Sequence, residues 1–129
     1  MHTGNAVDRI VLKPIFQRGR KRAVWMLLRS YSRMTIPLGT VTVQPGFVSD
    51  LASIPWFLRW LYPPDGIWGP AAVVHDWLYS QPEVSRRVAD RIFWDHMRED
   101  GVPWFRAMLF YWGVRLFGRW HKATGERLA

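Results

Sequence analysis

The stretch "AAVVHDWLYS" (71–80) sets His75 and Asp76 side by side in an otherwise apolar run. On a helix at about 100° per residue, Ala71, Ala72, Val73, Val74, Trp77, Leu78 and Tyr79 cover the whole circumference, so the segment is expected to be buried on every side. A buried charge without partners costs several kcal/mol or more, so such a pair is normally neutralised by partners or holds a metal. His75 and Tyr79 fall one turn apart on the same face, while Asp76 points to a neighbouring one.

The next segment, "EVSRRVADRIFWDHMRED", has an apolar arc made of Val88, Ala89, Ile92, Phe93, Trp94 and Met97. Asp90 falls inside that arc, whereas Arg87, Arg91, Asp95, Arg98 and Glu99 lie on the outer side. Asp90 is therefore the natural partner for His75. A carboxylate on one ring nitrogen fixes the tautomer and leaves the other nitrogen as a base. Asp76 then needs a counter-charge, and neither buried arc holds a lysine or arginine. Asp50, in "PGFVSDLAS", offers a second carboxylate, and such hard oxygen ligands suit calcium better than zinc. His96 also falls in the apolar arc, as a further ligand or as a hydrogen-bonded core residue. The competing reading of the whole group is a structural hydrogen-bonded pair without chemistry.

Positioning these residues requires helices, and the chain turns helical only in its second part. "RIVLKPIF" (9–16) and "AVWMLLRSYS" (23–32) read as strands flanking the basic turn "QRGRKR" (17–22). "GTVTVQPGFV" follows in β-branched alternation, with a turn at Pro45-Gly46. Helices are expected at 54–62, from Pro70 to Tyr79, from Glu83 to Asp100, and from Pro103 to Trp120. Trp25 and Trp77 are assigned to the core. The expectation is one α+β domain over 1–129: a small N-terminal antiparallel sheet (1–53), then three to four helices (54–129) carrying the His/Asp site.

Composition limits the partners. The 129 residues carry 18 Lys and Arg against 10 Asp and Glu, a net charge of +8, which favours acidic partners. With no cysteine, a disulfide framework and a thiolate metal site are both excluded. Nine tryptophans favour interfaces with protein or lipid headgroups. "MHTGNAVDRI" lacks the apolar core of a signal peptide, and "VPWFRAMLFYWGVRLFG" (102–118) is too short and too charged for a comfortable span. A soluble protein is expected, and its segments carry two resemblances to known families.

The first resemblance covers most of the chain. "QPGFVSDLASIP", "AAVVHDWLY", "ADRIFWDHM" and "GVRLFG" resemble the hallmark segments of a family of small uncharacterised proteins of tailed phages and prophages. That resemblance implies the cytoplasm of an infected host or a phage particle as the setting. The second is local. "SDLASIP", "PAAVVHDWLY" and "DRIFWDHM" are similar, in the same order, to the active-site segments of the small bacterial and fungal phospholipase A2 branch. That resemblance implies a phospholipase A2-like helical part. It implies that His75 activates a water toward the sn-2 ester, Asp90 orients it and Tyr79 supports the pair. It further implies that Asp76 holds Ca2+, with Asp50 and the Leu51 backbone carbonyl as further ligands. The branch's cysteines are replaced here, with Ala72 and Ala52 at the matching places.

The C-terminal aromatics, from Trp104 to Trp120, alternate with Arg106, Arg115, Arg119 and Lys122. They read as a core helix with a basic edge, or as a surface for an anionic phospholipid membrane. "QRGRKR" comes without a nucleic-acid motif, which argues against nucleic acid as the partner. The leading expectation is a phage-encoded, calcium-dependent lipid ester hydrolase acting at membranes during entry or lysis. The alternative is a structural or assembly protein of the phage particle with a silent, metal-stapled site. A metal-dependent phosphohydrolase ranks third, because its upstream ligand histidine is not evident; His2 is a poor candidate.

Overall fold

The computed structural model describes residues 10–15, 24–49 and 67–128, with backbone alone for Val24 and for 117–128. The expected helix at 54–62, the basic turn 17–22, Asp50 and Leu51 lie outside the described residues.

The chain is α+β, small antiparallel sheets preceding helices, as the sequence predicts. Strands β1 (Leu12–Ile15), β2 (Val24–Leu27), β3 (Tyr31–Thr35), β4 (Gly39–Val43) and β5 (Val48–Ser49) come first. Helices α1 (Gly69–Tyr79), α2 (Arg86–Glu99) and α3 (Trp104–Leu128) follow. The strands make two sheets rather than the one expected, with β1-β2-β5 in one and β3-β4 in the other. The run expected as a single strand over 23–32 is cut at its middle. Leu28, Arg29 and Ser30 are all exposed, which a continuous strand with alternating faces cannot arrange, and the chain bends at Leu28 and Arg29. The bend sends Leu27 and Tyr31, both buried, into different sheets over a shared core.

α1 is the central element. Pro70 occupies its first turn, where a missing N–H costs nothing, and ten of its eleven residues are buried. Ala71 and Ala72 pack toward α2 and α3, in a cluster with Phe93, Met97, Ala107, Phe110 and Val114. Val73, Val74 and Leu78 pack toward the strands, with Leu27, Tyr31, Val43 and Ile92. Small residues on one side let α2 approach closely. Branched ones on the other fill the space beneath the sheets. Trp77 is the exception: it is half-buried, edge-on to Phe47 at 5.2 Å, and Trp25 is half-buried too, so neither belongs to the core proper.

α2 begins later than the apolar pattern suggests. Ser85 is its N-cap and its Oγ accepts the Val88 N–H at 3.2 Å, so Glu83 and Val84 stay in the preceding turn. Ser85→Ala is expected to cost about 1 kcal/mol in urea unfolding, and Ser85→Asp, which keeps an acceptor oxygen, to cost less. At the other end Gly101 takes φ +92°, the left-handed conformation that closes a helix. Arg33 of β3 then grips this end. Its guanidinium donates to both Asp100 carboxylate oxygens, at 2.8 and 2.5 Å, and to the His96 carbonyl at 3.3 Å. A cation at the negative end of the helix dipole, bidentate on a carboxylate, fixes the β3-β4 sheet against α2.

α3 runs to Leu128 rather than stopping near Trp120. Its last eight residues, "HKATGERL", carry no proline and mostly good helix formers, so nothing local ends it earlier. Among the described residues no helix is long and apolar enough to cross a membrane.

Candidate functional site

The three helices converge on Asp90. Its carboxylate is fully buried, and three side chains from two other helices supply its donors. From α1, His75 Nε2 meets Oδ1 at 2.7 Å and the Tyr79 hydroxyl donates to the same oxygen at 2.6 Å. From α3, Arg115 Nη1 donates to Oδ2 at 2.8 Å. The i,i+4 spacing of His75 and Tyr79 lets both side chains reach one oxygen from one helix face. The expected partnership of His75, Tyr79 and Asp90 is thus brought together.

Burial alone would raise the Asp90 carboxyl, but the His75, Tyr79 and Arg115 hydrogen bonds outweigh it and hold Asp90 below the ordinary carboxylate range. Burial, with the Asp90 hydrogen bond and charge, pushes the Tyr79 phenol well above its ordinary range. Tyr79 therefore remains an O–H donor and Asp90 an ionised acceptor. With Asp90 ionised, the Nε2–H of His75 is the donating group, which assigns the tautomer and makes Nδ1 the basic nitrogen.

The imidazole is held by packing as well. Its ring lies 4.2 Å from the Tyr79 ring and 4.7 Å from the Phe93 ring, centroid to centroid. Nδ1 faces Asp76, whose Oδ1 is 3.9 Å away. Asp76, also buried, accepts from the Ser49 hydroxyl through Oδ2 at 2.5 Å. The charge expected to need a cation thus has a neutral donor from β5, immediately before Asp50 in the chain.

Asp76 and the Ser49 hydroxyl are hard oxygens of the kind calcium takes. Among the described residues no group of three or more His, Asp or Glu is placed to hold a metal, and two of the expected ligands, Asp50 and Leu51, fall outside those residues.

His96 is elsewhere. It lies six residues along α2 from Asp90, on another side of that helix, and its Nε2 meets the Met34 carbonyl at 3.0 Å. Burial and the nearby Arg33 charge hold it below the ordinary imidazole range, so it is a neutral core histidine bonded to β3.

Two residues of the site are missed from sequence, and the first is Arg115. It was visible only as a charge interrupting an apolar stretch, and its partner lies 25 positions away on another helix. Arg86 steadies it, donating to the Arg115 carbonyl at 2.8 Å. Ser49 was missed too, although it adjoins the acidic position that was noticed.

Comparison with curated proteins and with solved structures finds no match. The family described as "Protein of unknown function (DUF1353)" matches residues 25–114, a stretch that takes in Ser49, His75, Asp76, Tyr79 and Asp90. With well over half of its length matched, the chain belongs to that family of uncharacterised proteins.

Proposed function

We propose that the protein is a calcium-dependent, phospholipase A2-like lipid ester hydrolase acting at membranes. Its use by a phage at entry or lysis, suggested by the segment likeness, belongs to the same proposal. One observation carries it. The basic nitrogen of His75 is turned toward Asp76 while the opposite nitrogen is fixed on an ionised Asp90 that Tyr79 also serves.

In this reading Nδ1 takes a proton from a water on the Asp76 side, and the water oxygen attacks the sn-2 ester carbonyl. The resulting imidazolium is stabilised by Asp90, which needs no rearrangement because its hydrogen bond to Nε2 already exists. The same Nδ1 proton then passes to the leaving alkoxide. Arg115 keeps Asp90 ionised and in place throughout. Calcium, held by Asp76 with Asp50 and the Leu51 carbonyl, would polarise the ester carbonyl and stabilise the oxyanion.

The test is fatty-acid release from mixed-chain phospholipid vesicles, with calcium and with chelator. Release in calcium that disappears in chelator is the expected result. Absence of release by folded protein on both anionic and zwitterionic vesicles would overturn the reading. A second reading, a structural or assembly protein of a phage particle with a silent site, is favoured by one observation. Asp90 is fully buried and His75 nearly so, at 1% exposure, as a purely stabilising network would be.

A further inference from the structure

α3 carries an outward face that the buried cluster does not use. Trp104, Phe105, Trp112 and Leu116 are each 53–70% exposed. At about 100° per residue they fall within one arc of about 120°, opposite Ala107, Phe110 and Val114, which enter the core. Half-buried Met108 lies inside the same arc. Indole, phenyl and aliphatic groups in one contiguous exposed patch mark a surface that meets something.

The patch continues onto α2. Trp94 lies 6.5 Å from Trp104 and 5.9 Å from Tyr111, and Tyr111 lies 5.5 Å from Trp112, all edge-to-face. These contacts lock the rings into a rigid aromatic strip across the α2–α3 seam. Along α2, Arg87, Arg91 and Arg98 stand exposed at helical spacing around Trp94. Asp95 answers one of them, reaching Arg91 at 3.2 Å. On α3, residues 104–116 include Arg106 and Arg115 and no acidic residue.

We propose that this face of α3, with the α2 arginines beside it, docks on an anionic phospholipid surface. Aromatic side chains with an apolar body and a polar edge settle at headgroup depth, and flanking arginines meet the phosphates. The charge matches, since the patch is cationic on a chain of net charge +8. Nucleic acid fits less well. Bases stack on open ring faces along a groove, whereas these rings are turned edge-to-face on one another, and Phe105, Met108 and Leu116 give the patch an apolar character that phosphates would not cover. Arg115, at the patch edge, is also the donor to Asp90 Oδ2, so the docking face and the buried dyad share a side chain. The proposal rests on the lipid hydrolase reading only for why a membrane is approached; docking itself requires no turnover.

The experiment is co-sedimentation of the full chain with phosphatidylcholine vesicles, with and without about 30 mol% phosphatidylglycerol to supply a negative surface potential. Wild type is expected to bind the anionic vesicles about tenfold more tightly. Trp112→Ala with Leu116→Ala, both exposed and therefore compatible with folding, is expected to weaken binding by about tenfold on either vesicle. Arg87→Gln with Arg98→Gln is expected to remove most of the anionic preference. Binding unaffected by the Trp112/Leu116 pair would overturn the proposal. So would failure to bind anionic vesicles, accompanied either by single-stranded nucleic acid binding or by self-association that the same pair abolishes. The two readings fail separately. Face-dependent binding without fatty-acid release removes the hydrolase and keeps the docking surface, and release without face-dependent binding does the reverse.

Discussion

Asp90→Ala is expected to destabilise the fold by about 3–5 kcal/mol, the range for breaking a buried charged pair by deleting one partner. The carboxylate is fully buried and accepts from three side chains on two helices. Arg115 is partly exposed and can turn to water, so the cost falls mainly on the His75 N–H and the Tyr79 hydroxyl. Asp90→Asn keeps acceptor capacity at one atom and is expected to cost less. Urea unfolding followed by circular dichroism measures both. A loss below about 1 kcal/mol for Asp90→Ala, within the range of surface substitutions, would mean that the three donors find other acceptors.

The pH dependence separates Asp90 from the other perturbed acid-sensitive group. Asp90 has a folded pKa below its unfolded one, so its contribution is fully present above the unfolded value and is lost as pH falls through the folded one. That window lies below about pH 4. His96 is likewise depressed, through burial, so it adds a loss of stability that begins higher, as pH falls below about 6.5. Wild type should therefore lose stability in two stages on acidification. Asp90→Asn should keep the first and lack the second; a variant still showing the lower stage in full would refute the assignment of that stage to Asp90.

The second large effect concerns turnover. His75→Gln is expected to lower calcium-dependent fatty-acid release by about 10²- to 10⁴-fold, the usual contribution of a general base. Vesicle binding through α3 should be unchanged, because His75 is buried at the α1–α2 contact and the docking face is on the outside. Tryptophan fluorescence and circular dichroism report whether the variant is folded. A folded His75→Gln protein releasing fatty acid at the wild-type rate would show that this imidazole is not the base.

Much of the helical half was legible because burial writes a strong periodic signal. A helix apolar all round must be buried, and ten of the eleven residues of α1 are. Asp90 could be placed among the apolar residues of α2 by angle alone, and pairing it with His75 required only that buried carboxylates find donors. Strands were less legible. The number of sheets depends on where exposed residues interrupt alternation, and the break at Leu28–Ser30 leaves no turn signature of Gly, Pro or Asn.

The α+β order of the elements, the buried α1, and the inward placement of His75, Asp76 and Asp90 were all legible in the sequence. Local periodicity and the cost of burying charge suffice for those. The tertiary structure alone decided that Arg115 reaches Asp90, that Ser49 serves Asp76, that His96 turns to Met34 and that Arg33 clasps the end of α2. Each of these contacts joins separate elements, and the angle at which a side chain leaves its own helix or strand carries no information about which other element packs opposite.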